Sequence, residues 1–230
     1  MVTSKTASRV RQRTQQPREL HALTRRRLTA RADLRACEPE PATARHTLRI
    51  LRESNADFVG HVTAVAYLTR LVAIYLRLPA SEVDRIELAA VLHDVGKLAI
   101  PDSLLAKPGP LDLSESALMR THALIGERVV RAAPSLAHVA DVVRSSHERI
   151  DGGGYPDGLA GVGIPLGARI IAVCDAFDAM TSEHPYGVAL DPGAALAELR
   201  RGAGTQFDAP IVQAFCELAA QPGARFMRTA

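Results

Sequence analysis

Two adjacent residues of unlike ligand chemistry, His93 and Asp94, close the apolar run Leu88-Ala89-Ala90-Val91-Leu92 and are followed by Val95-Gly96-Lys97. A carboxylate left unpaired at the end of a buried helix costs several kcal/mol or takes up a proton, and a bound cation removes that cost. A histidine capping a helix C-terminus beside an exposed aspartate would leave the same two letters, so the pair alone does not decide. The other candidates are dispersed. His61 sits in an apolar helical segment with Asp57 four residues earlier, on the same face. His122 lies mid-helix, His147 ends the next helix, and Asp175 falls within the largely apolar run from Ile170 to Met180. Each single histidine is more often a core or surface residue than a ligand. Five segments that each offer an imidazole or carboxylate near an apolar face match the way helical bundles build metal sites. Mixed nitrogen and oxygen ligation suits Fe, Mn, Zn or Co better than Ca or Mg, and the lack of a nearby cysteine pair argues against a structural zinc. Lys97 is one of three lysines in a chain with 25 arginines, which points to a need for a compact ammonium; chance at a surface position would look the same.

The elements that must carry these residues read as helices. Ser81-Glu82-Val83-Asp84 resembles a capping box ahead of Ile86, Leu88, Val91 and Leu92. Asp112 with Glu115 repeats the device before Leu118, Met119 and Val129, and Pro134 closes that helix. A third helix carries Leu136, Val139, Val142 and Val143, and a fourth follows Pro165 through Ile170, Ile171, Val173, Cys174 and Phe177. Asp191-Pro192 supplies a cap and a first-turn proline before Leu196 and Leu199, with Gly202 as the stop; a last helix follows Asp208-Ala209-Pro210. Period-two alternation is missing, tryptophan is absent, and Tyr and Phe total nine, so the body is expected to be an all-α bundle. The longest irregular stretch, Asp151 to Gly167, opens with Gly152-Gly153-Gly154-Tyr155-Pro156. No strand precedes it and no Gly-Lys-Ser/Thr follows, which excludes a phosphate loop, and long loops in compact domains are commonly functional.

Composition sets the surroundings. Of 230 residues, 47% are hydrophobic and 23% charged, ordinary for a globular protein. Residues 1–45 hold 11 Lys+Arg against 4 Asp+Glu, while the rest holds 17 against 21. The high pI therefore belongs to a basic N-terminal arm, residues 1–44, expected to be a solvated extension with at most one exposed helix. DNA or RNA binding by the body is not expected. The body spans 45–222, and 223–230 form a short tail. Cys37, Cys174 and Cys216 are too few and too scattered for a disulfide scaffold. The most apolar stretch, Val62 to Leu78, is interrupted by Arg70 and Arg77 and reads as a buried helix, and no apolar leader opens the chain; a cytoplasmic protein without a membrane anchor is the expectation.

Taken in order, His61, His93-Asp94-Val95-Gly96-Lys97, His122, His147-Glu148-Arg149-Ile150-Asp151-Gly152-Gly153-Gly154-Tyr155-Pro156 and Asp175 resemble the HD-GYP family, bacterial HD-superfamily phosphodiesterases that hydrolyse cyclic di-GMP. The flanks Ile100-Pro101-Asp102, Lys107-Pro108-Gly109, Ile164 to Arg169 and Gly204 to Asp208 agree, so the resemblance covers about residues 45–220. It implies an HD-domain helical bundle with additional C-terminal helices. It also implies two divalent transition metals, Fe or Mn first and Zn, Ni or Co as alternatives. By that resemblance His61, His93, Asp94 and Asp175 match the ligands of one ion, and His122 and His147 those of a neighbour bridged by Asp94. Lys97 matches a lysine that reaches the bridging water or a substrate phosphate. Asp57 stands where the family often has a glutamate for a further ion, and Ser146 where it usually has a histidine. His184-Pro185-Tyr186-Gly187 replaces an Arg-Pro-Tyr-Arg segment expected to grip phosphate.

The resemblance thus implies a cytoplasmic signalling enzyme that cuts cyclic di-GMP, or a related cyclic dinucleotide, to the linear dinucleotide or GMP. Gly154, Tyr155, Pro156, Arg169 and His184 are the expected substrate or partner residues, with a GGDEF-domain cyclase and a second copy of the chain as expected partners. Two alternatives follow from the departures at Ser146 and Gly187. One is a catalytically weakened module that binds a cyclase or nucleotide; the other is an HD phosphohydrolase for a different nucleotide.

Overall fold

The computed structural model describes residues 56–182 and 189–221, with side chains from Phe58 onward. Its first helix, α1 (Ala56–Tyr75), buries Val62, Val65, Leu68, Thr69, Val72 and Ala73. This stripe packs against α2 (Ala80–Leu92) and against two later helices, α6 (Leu166–Thr181) and α8 (Ala209–Ala219). By length and composition alone α1 could cross a bilayer. Here it is a core helix, and the charge that interrupts it is used between helices: Arg70 lies 2.8 Å from Asp84 and also pairs with Glu87, both on α2. The buried helix expected across Val62 to Leu78 is thus present, ending at Tyr75.

Between α2 and α6 run a 3-10 turn (Val95–Ala99), a one-turn helix α3 (Asp102–Leu105), the long α4 (Leu113–Ala132), and a 3-10 turn (Ala137–Val139) leading into α5 (Ala140–Arg144). After α6 come α7 (Pro192–Gly202) and α8, which close the bundle over Phe177 and Phe215, whose rings lie 4.9 Å apart. Among the described residues there is no strand, only the isolated bridges Asp151–Ala160 and Ala203–Phe207, so the all-α expectation is borne out.

The caps divide. Asp112 accepts from the Glu115 N–H at 2.9 Å while Glu115 accepts from the Asp112 N–H at 2.8 Å, the reciprocal box expected before α4. Asp191 accepts from Gly193 and Ala194, with Pro192 in the first turn of α7. The box expected at Ser81 is absent. Pro79 sets the entry angle, so Ser81 already lies inside the first turn, and Glu82 pairs with Arg85 at 2.8 Å instead. Asp208 stands at the N-cap of α8 without capping it, its carboxylate engaged by Arg169 at 2.5 Å. The single helix expected from Leu136 is split into a 3-10 turn and a short α5 that ends at Arg144, which leaves His147 on the following loop rather than at a helix end.

Candidate metal centre

The end of α2 delivers His93 and Asp94, and glycines bring them against α4. A Cβ on Gly96 would lie 2.0 Å from the His122 carbonyl oxygen and 2.7 Å from the Gly126 nitrogen, so only glycine lets the 3-10 turn lie on the backbone of α4. That contact sets Asp94 beside His122. From α1 comes His61, from α6 Asp175, and from the loop after α5 His147.

Three of the four imidazoles are fixed by what their Nδ1 atoms meet. His93 Nδ1 lies 2.7 Å from the Ala90 carbonyl, His122 Nδ1 2.7 Å from the Met119 carbonyl, and His61 Nδ1 2.7 Å from Oδ2 of Asp178. Each of these oxygens can only accept, so each ring donates Nδ1–H to it, and in the neutral ring the Nε2 lone pair is turned inward. The inward Nε2 atoms converge on carboxylates. His61 Nε2 lies 3.2 Å from Asp175 and 3.9 Å from Asp94; His93 Nε2 lies 3.4 Å from Asp94 and 3.8 Å from Asp175. His122 and His147 approach the other oxygen of Asp94 at 3.2 and 3.5 Å.

Such a centre is electrostatically demanding. Burial alone would raise the Asp94 pKa, but the Lys97 ammonium, 2.5 Å from Oδ2, and the surrounding imidazoles outweigh it and hold the carboxyl well below its usual range. Burial would lower Lys97, and Asp94 in turn holds it up. Burial pushes His93 down, toward the neutral ligand form. His61 is the opposite case: burial would lower it, yet Asp175 and Asp178 raise it to about 10. Asp175 is carried down to about 2 against its burial by the hydrogen bond from His61 and the charge of His93.

These residues fit a metal. His61, His93 and Asp94 offer ligand atoms all within 4.8 Å of one another, and so do Asp94, His122 and His147, the two sets sharing Asp94. His93 Nε2 and Asp94 Oδ1 are buried without a hydrogen-bond partner, an expensive omission unless another species completes them. His122 and His147 bring their Nε2 atoms to 2.8 Å, a distance that two lone pairs do not hold without a proton or a cation between them.

Comparison with known proteins agrees. Residues 45–211 match the HD domain family model. The chain belongs to the HD domain family. It is 41% identical over 186 residues to the cyclic di-GMP phosphodiesterase response regulator RpfG of Xanthomonas campestris pv. campestris, covering 80% of this chain and 49% of that protein. It is 40% identical over 161 residues to a 3'3'-cGAMP-specific phosphodiesterase 2 of Vibrio cholerae, covering 69% of this chain and 31% of that one. Among solved structures it resembles Bd1817, an HDG"Y"P protein from Bdellovibrio bacteriovorus, with a TM-score of 0.59 at 19% identity, over 78% of this chain and 62% of that one. The HD-GYP resemblance and the HD-type helical fold read from the sequence are borne out. The chain spans about half or less of the length of these curated relatives.

Beside the histidines of this HD domain lies the Gly-Tyr-Pro loop. Buried Glu148 accepts from the Asp157 N–H at 2.7 Å and the Leu159 N–H at 3.1 Å, tying the far side of the loop to its root. A Cβ on Gly154 would stand 2.4 Å from the Arg149 nitrogen, so the loop doubles back on itself only with glycine there. The Tyr155 N–H then reaches the His147 carbonyl at 3.2 Å, and its ring stacks on the His147 imidazole at 5.2 Å and 12°. Burial, together with the Asp94 charge, pushes the Tyr155 hydroxyl up to about 12. Tyr155 is therefore packed against a candidate ligand instead of standing free.

The structure brings together His61, His93, Asp94, Lys97, His122, His147 and Asp175, with Gly154 and Tyr155 alongside. Pro156 follows Tyr155 through a cis peptide bond. Arg169 is placed elsewhere: it donates to the Ile164 carbonyl at 3.0 Å and to Asp208, tying the start of α6 to that of α8, and none of its hydrogen bonds among the described residues reaches the cluster. Ser146 is buried and gives its hydroxyl hydrogen to the Val143 carbonyl at 2.9 Å. The Asp57 side chain, His184 and Gly187 lie outside the described residues, as do the boundaries expected at 44 and 223. Sequence reading missed Asp178, the buried carboxylate that orients His61. Its signal was available: Asp178 follows Asp175 by one helical turn in an apolar helix, on the same face.

Proposed function

We propose that this chain is a metal-dependent phosphodiesterase that opens cyclic di-GMP or a related cyclic dinucleotide. One observation carries the reading: two ligand sets share Asp94, with His93 Nε2 and Asp94 Oδ1 buried and unpartnered. The names of the relatives, which act on cyclic di-GMP and 3'3'-cGAMP, support the substrate class.

His61, His93, Asp94 and Asp175 would hold one divalent ion, and Asp94, His122 and His147 a second. Their mixed donors suit Fe or Mn, with Zn, Ni or Co as alternatives. Bound there, such ions supply positive charge that polarises a phosphodiester and makes water more acidic. The chain does the rest. Lys97, anchored on Asp94 and about a third exposed, offers N–H donors to a non-bridging phosphate oxygen. The Nδ1 bonds of His61, His93 and His122 hold their rings in one orientation, so the site need not reorganise when substrate arrives. Hydrolysis breaks the bond between phosphorus and a ribose 3′ oxygen, water giving its hydroxyl to phosphorus and its proton to that oxygen.

A second reading is favoured by one observation. Ser146, committed to the Val143 carbonyl, leaves the His122–His147 side with two imidazoles and a shared carboxylate. A weakly held second ion would leave a nucleotide-binding or cyclase-docking module. Metal analysis of the purified protein, paired with incubation against several cyclic dinucleotides and identification of products, separates the two. Two ions per chain with a linear dinucleotide product support the enzyme; one ion or none with no product overturns it.

A further inference from the structure

We propose that Arg120 is a substrate-binding residue of this site, gripping the second phosphate of a cyclic dinucleotide while the first lies against the histidine cluster; this rests on the phosphodiesterase reading above. Arg120 is an exposed residue of α4, two positions before His122. Its guanidinium carbon lies 5.3 Å from the centre of the Tyr155 ring, and that ring is stacked on His147 and lies 6.2 Å from His122. One aromatic ring thus supports both a candidate ligand and a cation.

Arg120 is held by a ring face, and not by an ion pair. Arg85, Arg144, Arg149 and Arg169 are each tied to a carboxylate, which uses their N–H groups. Arg120 has no carboxylate partner among the described residues. Attraction to the ring face positions a guanidinium through its charge and leaves the N–H donors around its edge free. A planar fork of free donors beside an acid-rich metal cluster fits a phosphate, which it can contact through two parallel hydrogen bonds. A cyclic dinucleotide carries two phosphodiesters in one ring, so with one at the cluster the other lies close by, and Tyr155, itself against His147 and His122, holds Arg120 in that neighbourhood. Lys97 cannot serve both phosphates, because its ammonium is anchored on Asp94 inside the cluster.

The test compares full-length wild type with Arg120→Gln and Arg120→Lys, each loaded with Mn²⁺. Affinity for a hydrolysis-resistant phosphorothioate of cyclic di-GMP is measured by calorimetry at two salt concentrations, and metal content is measured alongside. The proposal expects Arg120→Gln to bind about 10- to 100-fold more weakly with metal content unchanged, to show a shallower salt dependence, and Arg120→Lys to recover part of the loss. Equal affinity of Arg120→Gln and wild type overturns it and leaves the phosphodiesterase reading standing. So does a loss of affinity accompanied by a loss of metal, which would make Arg120 a prop for Tyr155 and His147. If wild type itself does not bind, the cyclic dinucleotide reading falls and this one with it.

Discussion

Oδ2 of Asp178 lies 2.7 Å from Nδ1 of His61, a partner 117 residues away in sequence, and turns the Nε2 of that imidazole toward Asp175 and Asp94. A carboxylate behind a ligating histidine fixes its tautomer and raises its basicity, and loss of such a partner typically costs about 10- to 100-fold in metal affinity. Asp178→Ala is therefore expected to weaken metal binding by about that factor in a chelator-competition titration, while Asp178→Asn, which keeps an acceptor oxygen and loses the charge, weakens it less. Equal affinity in all three proteins would show that α6 holds His61 by packing alone.

Asp94 is the residue on which both ligand sets depend, and it is also the anchor of Lys97. Replacing His93 and Asp94 together by alanine removes the two unpartnered buried atoms without leaving one behind to demand the other. Metal content and cyclic dinucleotide turnover should both fall to background, read by elemental analysis and product chromatography on the same preparation. Turnover persisting in metal-free double variant would refute the metal mechanism.

Gly96 and Gly60 make a matched pair. A methyl group on Gly96 meets the backbone of α4 at 2.0 Å, whereas one on Gly60, in exposed helix, meets nothing within 4 Å. Overpacking against a backbone that cannot move aside costs about 1–3 kcal/mol or more. For a chain of this size that is a fall of roughly 2–12 °C in thermal midpoint. Gly96→Ala should show that fall together with weaker metal binding, since the same contact places Asp94 beside His122. Gly60→Ala should raise stability by about 0.4–1 kcal/mol through loss of backbone freedom in the unfolded chain. Similar midpoints for the two variants would mean that the 3-10 turn does not press on α4.

The spacing of apolar residues made the helices legible, because 3.6-residue periodicity survives whatever the helix packs against. The caps at Asp112 and Asp191 were equally legible, since a cap is local chemistry. Ser81 misled because Pro79 shifted the helix start past it, while Asp208, correctly placed at a helix start, gives its carboxylate to Arg169, 39 residues away, and not to a cap. The same reason hid Asp178. Its place one turn after Asp175 marked it as a candidate, but its partner is remote, so the letters do not show which of the two carboxylates joins the cluster and which stands behind a histidine. The candidate ligands themselves could be read as an ordered set of residue types. Their convergence came from the family resemblance and not from spacing, which does not show that Gly96 and Gly154 let backbones touch.

Acid sensitivity of the Gly-Tyr-Pro loop should be confined to pH below about 4. Asp151 is held down to about 2 by its ion pair with Arg149 and by the N–H of Gly153. In the unfolded chain the same carboxyl titrates near ~3.9. Because folding lowers this pKa, its contribution to loop order is complete above about pH 4 and disappears as pH falls through about 2. Hydrogen exchange at the Gly153 and Gly154 amides, corrected for intrinsic rates, should show constant protection from pH 6 to about 4 and declining protection below. Asp151→Asn keeps an acceptor for the Gly153 N–H but has no charge to lose, so its protection should start lower and vary less across the same range. A decline already under way between pH 6 and 5 in wild type would show that the Arg149–Asp151 pair does not control the order of the loop.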